Sequence, residues 1–177
     1  MNRLLAASLM LFMVTPPASA AASAPYAGPE TRDIKALSDT DVADYLAGRG
    51  MGLAKAAELN HYPGPRHVLD LAKELSLHDA QREQVEVIYS KMRLQATQIG
   101  ERIVAKEKEL DESFATGKIA EKNLRRIVTD IAQLQGDLRF VHLQAHLDVR
   151  ALLNAHQIAR YDALRGYTVP GNMTHSH

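Results

Sequence analysis

Two long stretches of the chain carry matching apolar stripes, and this match constrains the fold more than any other feature. No proline occurs between Arg66 and Val169, so nothing there breaks a long helix. In both stripes the apolar residues step by threes and fours, or by sevens where a place is skipped, as in an antiparallel coiled-coil seam. The stripes are Val85, Ile88, Met92, Ala96, Ile99, Ile103 and Leu110, and then Ile127, Leu134, Leu138, Val141, Ala145, Val149 and Leu152.

Folding the chain about Lys118 brings the two stripes into one register. Leu110 then lies opposite Ile127, and the pairing continues without a shift until Val85 lies opposite Leu152. Lys106, which falls opposite Ile131, is the one interruption. We therefore predict an all-α fold, in which a long antiparallel helical hairpin is flanked by short helices. Its long helices should run to about Ala115 and from about Ala120 to Leu152.

Gly100 and Gly136 fall at almost the same height in this register. Glycine inside a helix costs up to about 1 kcal/mol relative to alanine. We therefore expect a bend or a close approach at the middle of the hairpin.

A short motif, Leu-x-x-x-Gln, occurs once before each of two predicted helices. A cap residue followed three positions later by glutamine forms a capping box, in which the glutamine side chain reaches back to the cap N–H. Asparagine is a good cap and histidine a poorer one. The motif residues are Leu77, His78 and Gln81 in the first copy, and Leu153, Asn154 and Gln157 in the second.

The two motifs resemble the Leu-Thr-x-x-Gln motif of the Spy/CpxP family of periplasmic chaperones and of the related periplasmic heavy-metal sensors. The resemblance covers roughly residues 69–167, and threonine is replaced in both copies, by His78 and Asn154. It implies a curved helical dimer with a concave face that binds unfolded proteins. For the sensors it implies nickel, cobalt or zinc bound through His, Glu and Met, although no such ligand can be matched to a position here.

Composition divides the chain into four parts. Residues 1–20 have a basic start, a short apolar core and Ala18-Ser19-Ala20, which together are typical of a signal peptide and predict the periplasm. Residues 21–37 are rich in Ala, Pro and Gly and are expected to be a disordered leader. Residues 38–167 should form the helical domain, with short helices at about 38–48, 53–59 and 68–75. Residues 168–177 should be a flexible, histidine-containing tail.

Charge and composition narrow the function further. The 21 Lys and Arg residues balance 21 Asp and Glu residues, which argues against nucleic acid as a partner. The chain has no cysteine, and no segment after the leader is apolar enough to span a membrane. No serine lies in a nucleophile-elbow context, so we predict that the protein is not an enzyme.

His142 and His146 lie four positions apart on one helical face, a spacing that can place two imidazoles on one metal ion. They can instead be polar residues that flank the seam, and this interpretation is favoured because such histidine pairs often occur without a metal. No Glu lies between them as in His-Glu-x-x-His, so zinc-protease chemistry is not indicated. No cofactor is therefore predicted, with Zn, Ni or Co as the alternative.

Five apolar residues lie off the seam and need another surface to cover them. Either the short helices of the same chain cover them, or a second subunit does, which would favour a homodimer. They are Leu94, Val104, Val128, Phe140 and Leu147. The leading hypothesis is a periplasmic, ATP-independent chaperone or envelope-stress adaptor that binds unfolded proteins on an exposed amphipathic surface. The alternative is a periplasmic transition-metal sensor or metal-binding protein.

Overall fold

The computed structural model describes residues 26–167, so the predicted signal peptide (1–20) and tail (168–177) lie outside the described residues. This part of the chain is all helical, as predicted. It forms one 3-10 turn (Pro29–Thr31) and the helices α1 (Asp39–Leu46), α2 (Lys55–Glu58), α3 (Pro65–Asp70), α4 (Asp79–Ala115), α5 (Glu121–Leu152) and α6 (Ala155–Arg165).

Helices α4 and α5 form the predicted antiparallel hairpin. The 37 residues of α4 span about 55 Å at 1.5 Å per residue. One buried cluster joins Val85 to Val149 near the open end of the hairpin. A second joins Ile103 to Leu134 nearer the turn. Ile103 and Leu134 are a pair of the predicted register. The first cluster brings together the residues of two further predicted pairs, Val85 with Leu152 and Ile88 with Val149.

The lysine that interrupts the stripe does not interrupt the packing. Lys106 Nζ lies 2.9 Å from Glu109 Oε2 and 3.1 Å from Asp130 Oδ2. Ile131, its predicted neighbour across the seam, remains buried. A long aliphatic stem lets a lysine cover apolar surface and keep its charge in water. The seam therefore tolerates Lys106 at its edge.

The short helices cover one side of the hairpin. Helices α1 and α3 pack against α4, and α2 and α3 pack against α5. Helix α3 was expected at about 68–75, but it begins at Pro65 and ends at Asp70, followed by turns. Proline suits the first helical position because its missing N–H would have no partner there, so Pro65 begins this helix.

The two mid-hairpin glycines have different roles. A methyl group at Gly100 would lie 2.1 Å from the carbonyl oxygen of Tyr45, whereas one at Gly136 would meet nothing within 4 Å. The expected close approach is therefore real at Gly100, where the end of α1 rests on α4. The same prediction is wrong for Gly136, which no element approaches.

Part of the predicted leader (21–37) contacts α4. Ile34 is buried, and Lys35 donates from its backbone N–H and its Nζ to Asp111, at 3.1 and 3.0 Å. Asp33 lies 3.5 Å from Lys108 Nζ, so two ion pairs connect residues 33–35 to α4. These contacts come from residues more than seventy positions away, which local composition does not reveal.

Candidate functional site

The glutamines of the two motifs contact each other at the open end of the hairpin, where α4 begins and α5 ends. Gln81 Nε2 donates to Gln157 Oε1 at 3.1 Å, and Gln157 Nε2 donates to Gln81 Oε1 at 3.0 Å. Each amide also donates to a backbone carbonyl near the other motif, Gln81 to Leu152 at 2.8 Å and Gln157 to Leu75 at 3.4 Å. The pair therefore crosslinks the starts of α4 and α6.

Both glutamines also cap a helix, as the motif predicts. Gln81 Oε1 accepts from the backbone N–H of His78 at 3.1 Å, and Gln157 Oε1 accepts from that of Asn154 at 3.0 Å. In the second motif, Asn154 Oδ1 also accepts from the backbone N–H of Gln157 at 2.9 Å. In the first motif, the imidazole of His78 makes no such cap hydrogen bond. The leading residues Leu77 and Leu153 pack with the buried cluster around Tyr161. This geometry gives all six motif residues a structural role.

His142 and His146 are buried, with 3% and 8% of their surfaces exposed. His146 Nδ1 lies 2.7 Å from the carbonyl oxygen of Tyr62. A carbonyl can only accept, so Nδ1 carries the proton and a neutral His146 keeps a lone pair on Nε2. His142 Nε2 is buried without any hydrogen-bond partner, which is costly for a polar atom.

The two histidines line a cavity of about 420 Å³ between the hairpin and the segment that carries α1 to α3. Its lining is basic: it contains three arginines and three histidines and no Asp or Glu. The charged and aromatic members are Arg49, Arg66, His67, Tyr89, Arg93, His142 and His146.

Two imidazoles of this cavity, those of His67 and His142, resist protonation. Burial lowers the pKa of His142, and the neighbouring His146 lowers it further. Burial also lowers the pKa of His67, and the positive charge of Arg165 acts in the same direction. Both effects disfavour the charged imidazolium, so these side chains are neutral at pH 7.

A partly buried carboxylate, that of Glu58 at the end of α2, connects the N-terminal segment to α6. Glu58 accepts from the backbone N–H of Gly64 at 3.1 Å, from Tyr167 Oη at 3.0 Å and from Tyr161 Oη. Arg165 Nε lies 3.6 Å from the same carboxylate. Burial raises the pKa of Tyr161, and the hydrogen bond to Glu58 raises it further, so this tyrosine remains a donor. Sequence reasoning missed Glu58 because its partners lie about a hundred positions later.

Two further contacts hold the turn between α2 and α3. His61 Nδ1 lies 2.7 Å from Asp162 Oδ2 on α6. Gly64 passes so close to His146 that a methyl group there would lie 2.9 Å from the imidazole Cε1. The turn therefore lies directly against the buried histidines and forms one wall of the basic cavity.

The other side of the hairpin is open. A groove on this side is lined only by residues of α4 and α5. Val87 and Phe140 are 63% and 62% exposed, while Lys91, Gln95, Gln144 and Asp148 supply polar atoms. Its apolar lining is completed by Ile88, Met92, Val141 and Ala145.

Of the five off-seam apolar residues, four are exposed. The short helices of the same chain therefore leave Leu94, Val128, Phe140 and Leu147 uncovered. None of the helices between residues 26 and 167 combines the length and the apolar character that a membrane crossing needs. Within these same residues, no group of three or more His, Asp or Glu side chains is placed to share a metal ion.

The fold and the motif pair define a class of protein: a helical hairpin closed at its base by two capping glutamines. The description "LTXXQ motif family protein" matches residues 65–165, more than half of the chain. The protein therefore belongs to the LTXXQ motif family, the family of Spy/CpxP-like periplasmic proteins. The resemblance seen in the sequence is thereby confirmed. Comparison with curated proteins and with solved structures finds no match.

Proposed function

We propose that the protein is a periplasmic, ATP-independent chaperone or envelope-stress adaptor that holds unfolded chains in the open groove between α4 and α5. The observation that carries this proposal is the exposed apolar lining of that groove. A single chain leaves Val87 and Phe140 largely in solvent beside an apolar floor. Contiguous exposed apolar surface of this kind is typical of interaction sites. The family, whose members are non-enzymatic chaperone-like or sensor proteins, supports the same proposal.

The polar edge of the groove suits reversible binding. Lys91 and Asp148 offer opposite charges, and Gln95 and Gln144 offer amides that can both donate and accept. Apolar contacts supply binding free energy without directional demands, while mixed charges tune association rates. A surface of this kind accepts many unfolded sequences and needs no catalytic group.

A second copy of the chain is a further proposed partner for the exposed apolar residues. Leu94 and Leu147 are exposed beside the groove residues, and burying them in a homodimer would remove apolar area from water. Light scattering on the processed protein tests this point. A mass of two chains that falls to one in a Leu94→Ser variant would support the dimer, and a single chain at every concentration would reject it.

Aggregation of an unfolded substrate tests the chaperone proposal. Processed protein at substoichiometric to equimolar ratios should slow aggregation without ATP. Phe140→Ser should weaken this effect strongly. Phe114→Ser is the matched control, because Phe114 is also an exposed phenylalanine, at 56%, but it lies outside the groove. Equal activity of the two variants would show that the binding surface lies outside the groove. Absence of aggregation suppression at any ratio would reject the proposal.

Transition-metal binding is the alternative function, and the tautomer of His146 favours it. Metal-binding histidines commonly donate one ring N–H to a carbonyl and bind the metal through the other nitrogen. His146 has this arrangement through Tyr62, and His67 and His142 line the same cavity. Zn, Ni or Co would need all of these imidazoles neutral.

Calorimetric titration with Zn, Ni and Co separates the two functions. Tight binding that is lost in a folded His142→Ala/His146→Ala variant, together with loss of aggregation suppression on chelation, would favour the metal function. Suppression that survives a chelator would favour the groove as the functional surface.

A further inference from the structure

The basic cavity under the short helices has a composition that suits an anion better than a cation. Three arginines from different elements line it: Arg49 after α1, Arg66 in α3 and Arg93 in α4. No Asp or Glu is part of its lining. Arginine is the side chain that most often recognises phosphate and carboxylate groups, because its planar fork offers paired donors.

These arginines keep donors available for a ligand. Arg66 uses its Nε to contact both carboxylate oxygens of Asp70, at 3.0 and 3.1 Å, and its guanidinium also interacts with Tyr89, another lining residue. Arg49 contacts Asp44 through Nη1. Arg93 makes no hydrogen bond or ion pair within residues 26–167. A guanidinium carries five N–H donors, so the rim of the cavity has unused donors on all three arginines.

The second observation is the unpartnered nitrogen of His142. His142 is 97% buried, being 3% exposed, and its Nε2 has no hydrogen-bond partner among the described residues although the side chain lines the cavity. In the Nε2–H tautomer, this atom would donate to a ligand oxygen once the imidazole turns it from its fully buried position toward the cavity. A buried donor without a partner is a costly arrangement, and a bound acceptor would remove that cost.

The acidic side chain behind this wall does not oppose an anion strongly. Glu58 Oε2 lies 3.7 Å from Nδ1 of the cavity residue His146, but its oxygens already accept from Gly64, Tyr161 and Tyr167. Arg165 also faces this carboxylate, at 3.6 Å. Its charge is thus partly neutralised by these donors.

We propose that this cavity is a binding site for a small oxyanion of the phosphate type, held by Arg49, Arg66 and Arg93 and by Nε2–H of His142. The site is distinct from the open groove on the other side of the hairpin. The walls come from the segment between α1 and α3 and from both long helices. A bound anion would therefore tie the short helices to the hairpin and stabilise the folded state by mass action.

Titration of the processed full chain with inorganic phosphate, at constant ionic strength, tests the proposal. Calorimetry should find saturable binding, and the melting temperature should rise with phosphate concentration. Arg93→Ala should weaken binding by about tenfold or more, since a charge-assisted hydrogen bond is lost. His142→Leu should weaken binding and should remain folded, because it replaces an unpartnered buried polar group by an apolar one.

Arg102→Ala is the matched control. Arg102 is an exposed arginine of the same helix that does not line the cavity, so phosphate binding should be unchanged. Equal weakening by Arg93→Ala and Arg102→Ala would show general charge attraction and overturn the proposal. Absence of saturable phosphate binding would also overturn it, most directly if zinc binds in the same cavity.

Discussion

Gln81 and Gln157 donate hydrogen bonds to each other through their side-chain amides, at 3.1 and 3.0 Å, although 76 positions separate them in the chain. The motif therefore does more than begin two helices. It also joins the start of α4 to the start of α6, at the open end of the hairpin.

Gln157→Ala should lower the free energy of unfolding by about 1–3 kcal/mol, because Gln157 is buried and its loss removes both hydrogen bonds with Gln81 and leaves the cap N–H of Asn154 without its partner. Urea denaturation of Gln157→Ala, Gln81→Ala and the double variant measures the coupling. Additive losses would mean that the two glutamines act separately and that the amide pair contributes nothing of its own.

The two mid-hairpin glycines give a matched pair of substitutions. Gly100→Ala should destabilise the protein and detach α1, because the new methyl group would lie 2.1 Å from the carbonyl oxygen of Tyr45. Gly136→Ala meets nothing within 4 Å and should stabilise α5 by up to about 1 kcal/mol. Thermal melts of both variants check the prediction, and a stabilising Gly100→Ala would contradict the observed packing of α1.

Asn154 is a good cap and His78 a poor one, so substituting them should change the stability of the protein in opposite directions. Asn154→Ala should cost roughly 1 kcal/mol, since its side chain accepts from the N–H of Gln157 at 2.9 Å. His78→Thr should stabilise the protein slightly, because His78 makes no side-chain cap hydrogen bond and threonine is a better cap. Urea denaturation measures both effects. A loss of stability in His78→Thr would indicate that the imidazole of His78 has a role other than capping.

The stability of the protein should fall as the pH drops from 7 to 5. The pKa of His142 is lowered in the folded state by burial and by His146, so below an unfolded pKa of about 6.5 the unfolded chain takes up a proton that the folded chain resists. His142→Leu should flatten this dependence and raise stability at pH 7, since it removes an unpartnered buried nitrogen. His156→Leu, at an exposed histidine of α6, is the control, and an equal change in both variants would contradict the assignment.

The sequence predicts the parts of this fold that depend on periodicity. Residues such as Ile103 and Leu134 recur at the spacing of a coiled-coil seam, and that spacing alone gives the register. The capping boxes are equally local, since cap and glutamine are three positions apart. What the sequence does not predict depends on contacts between distant segments. The burial of Ile34 and the partners of Glu58 both arise from such contacts.

For the candidate sites too, the sequence predicts what depends on local spacing and does not predict what depends on contacts between distant segments. The spacing of His142 and His146 places them on one helical face, but it does not reveal that Tyr62 and Gly64 would bury them. The basic cavity combines arginines from three elements, and no pattern along the chain brings Arg49 and Arg93 together. The off-seam position of Phe140, in contrast, is visible in the sequence and corresponds to its exposure in the groove.

The central claim, that unfolded chains bind in the groove between α4 and α5, is tested most directly by site-specific photo-crosslinking. A photoreactive side chain is introduced at position 140 in one variant and at position 114 in another, both exposed phenylalanine positions, and each variant is irradiated with an unfolded substrate. We expect strong crosslinks from position 140, weak ones from position 114, and loss of both when the substrate is folded. Crosslinks of equal strength from the two positions, or none from position 140, would contradict the claim.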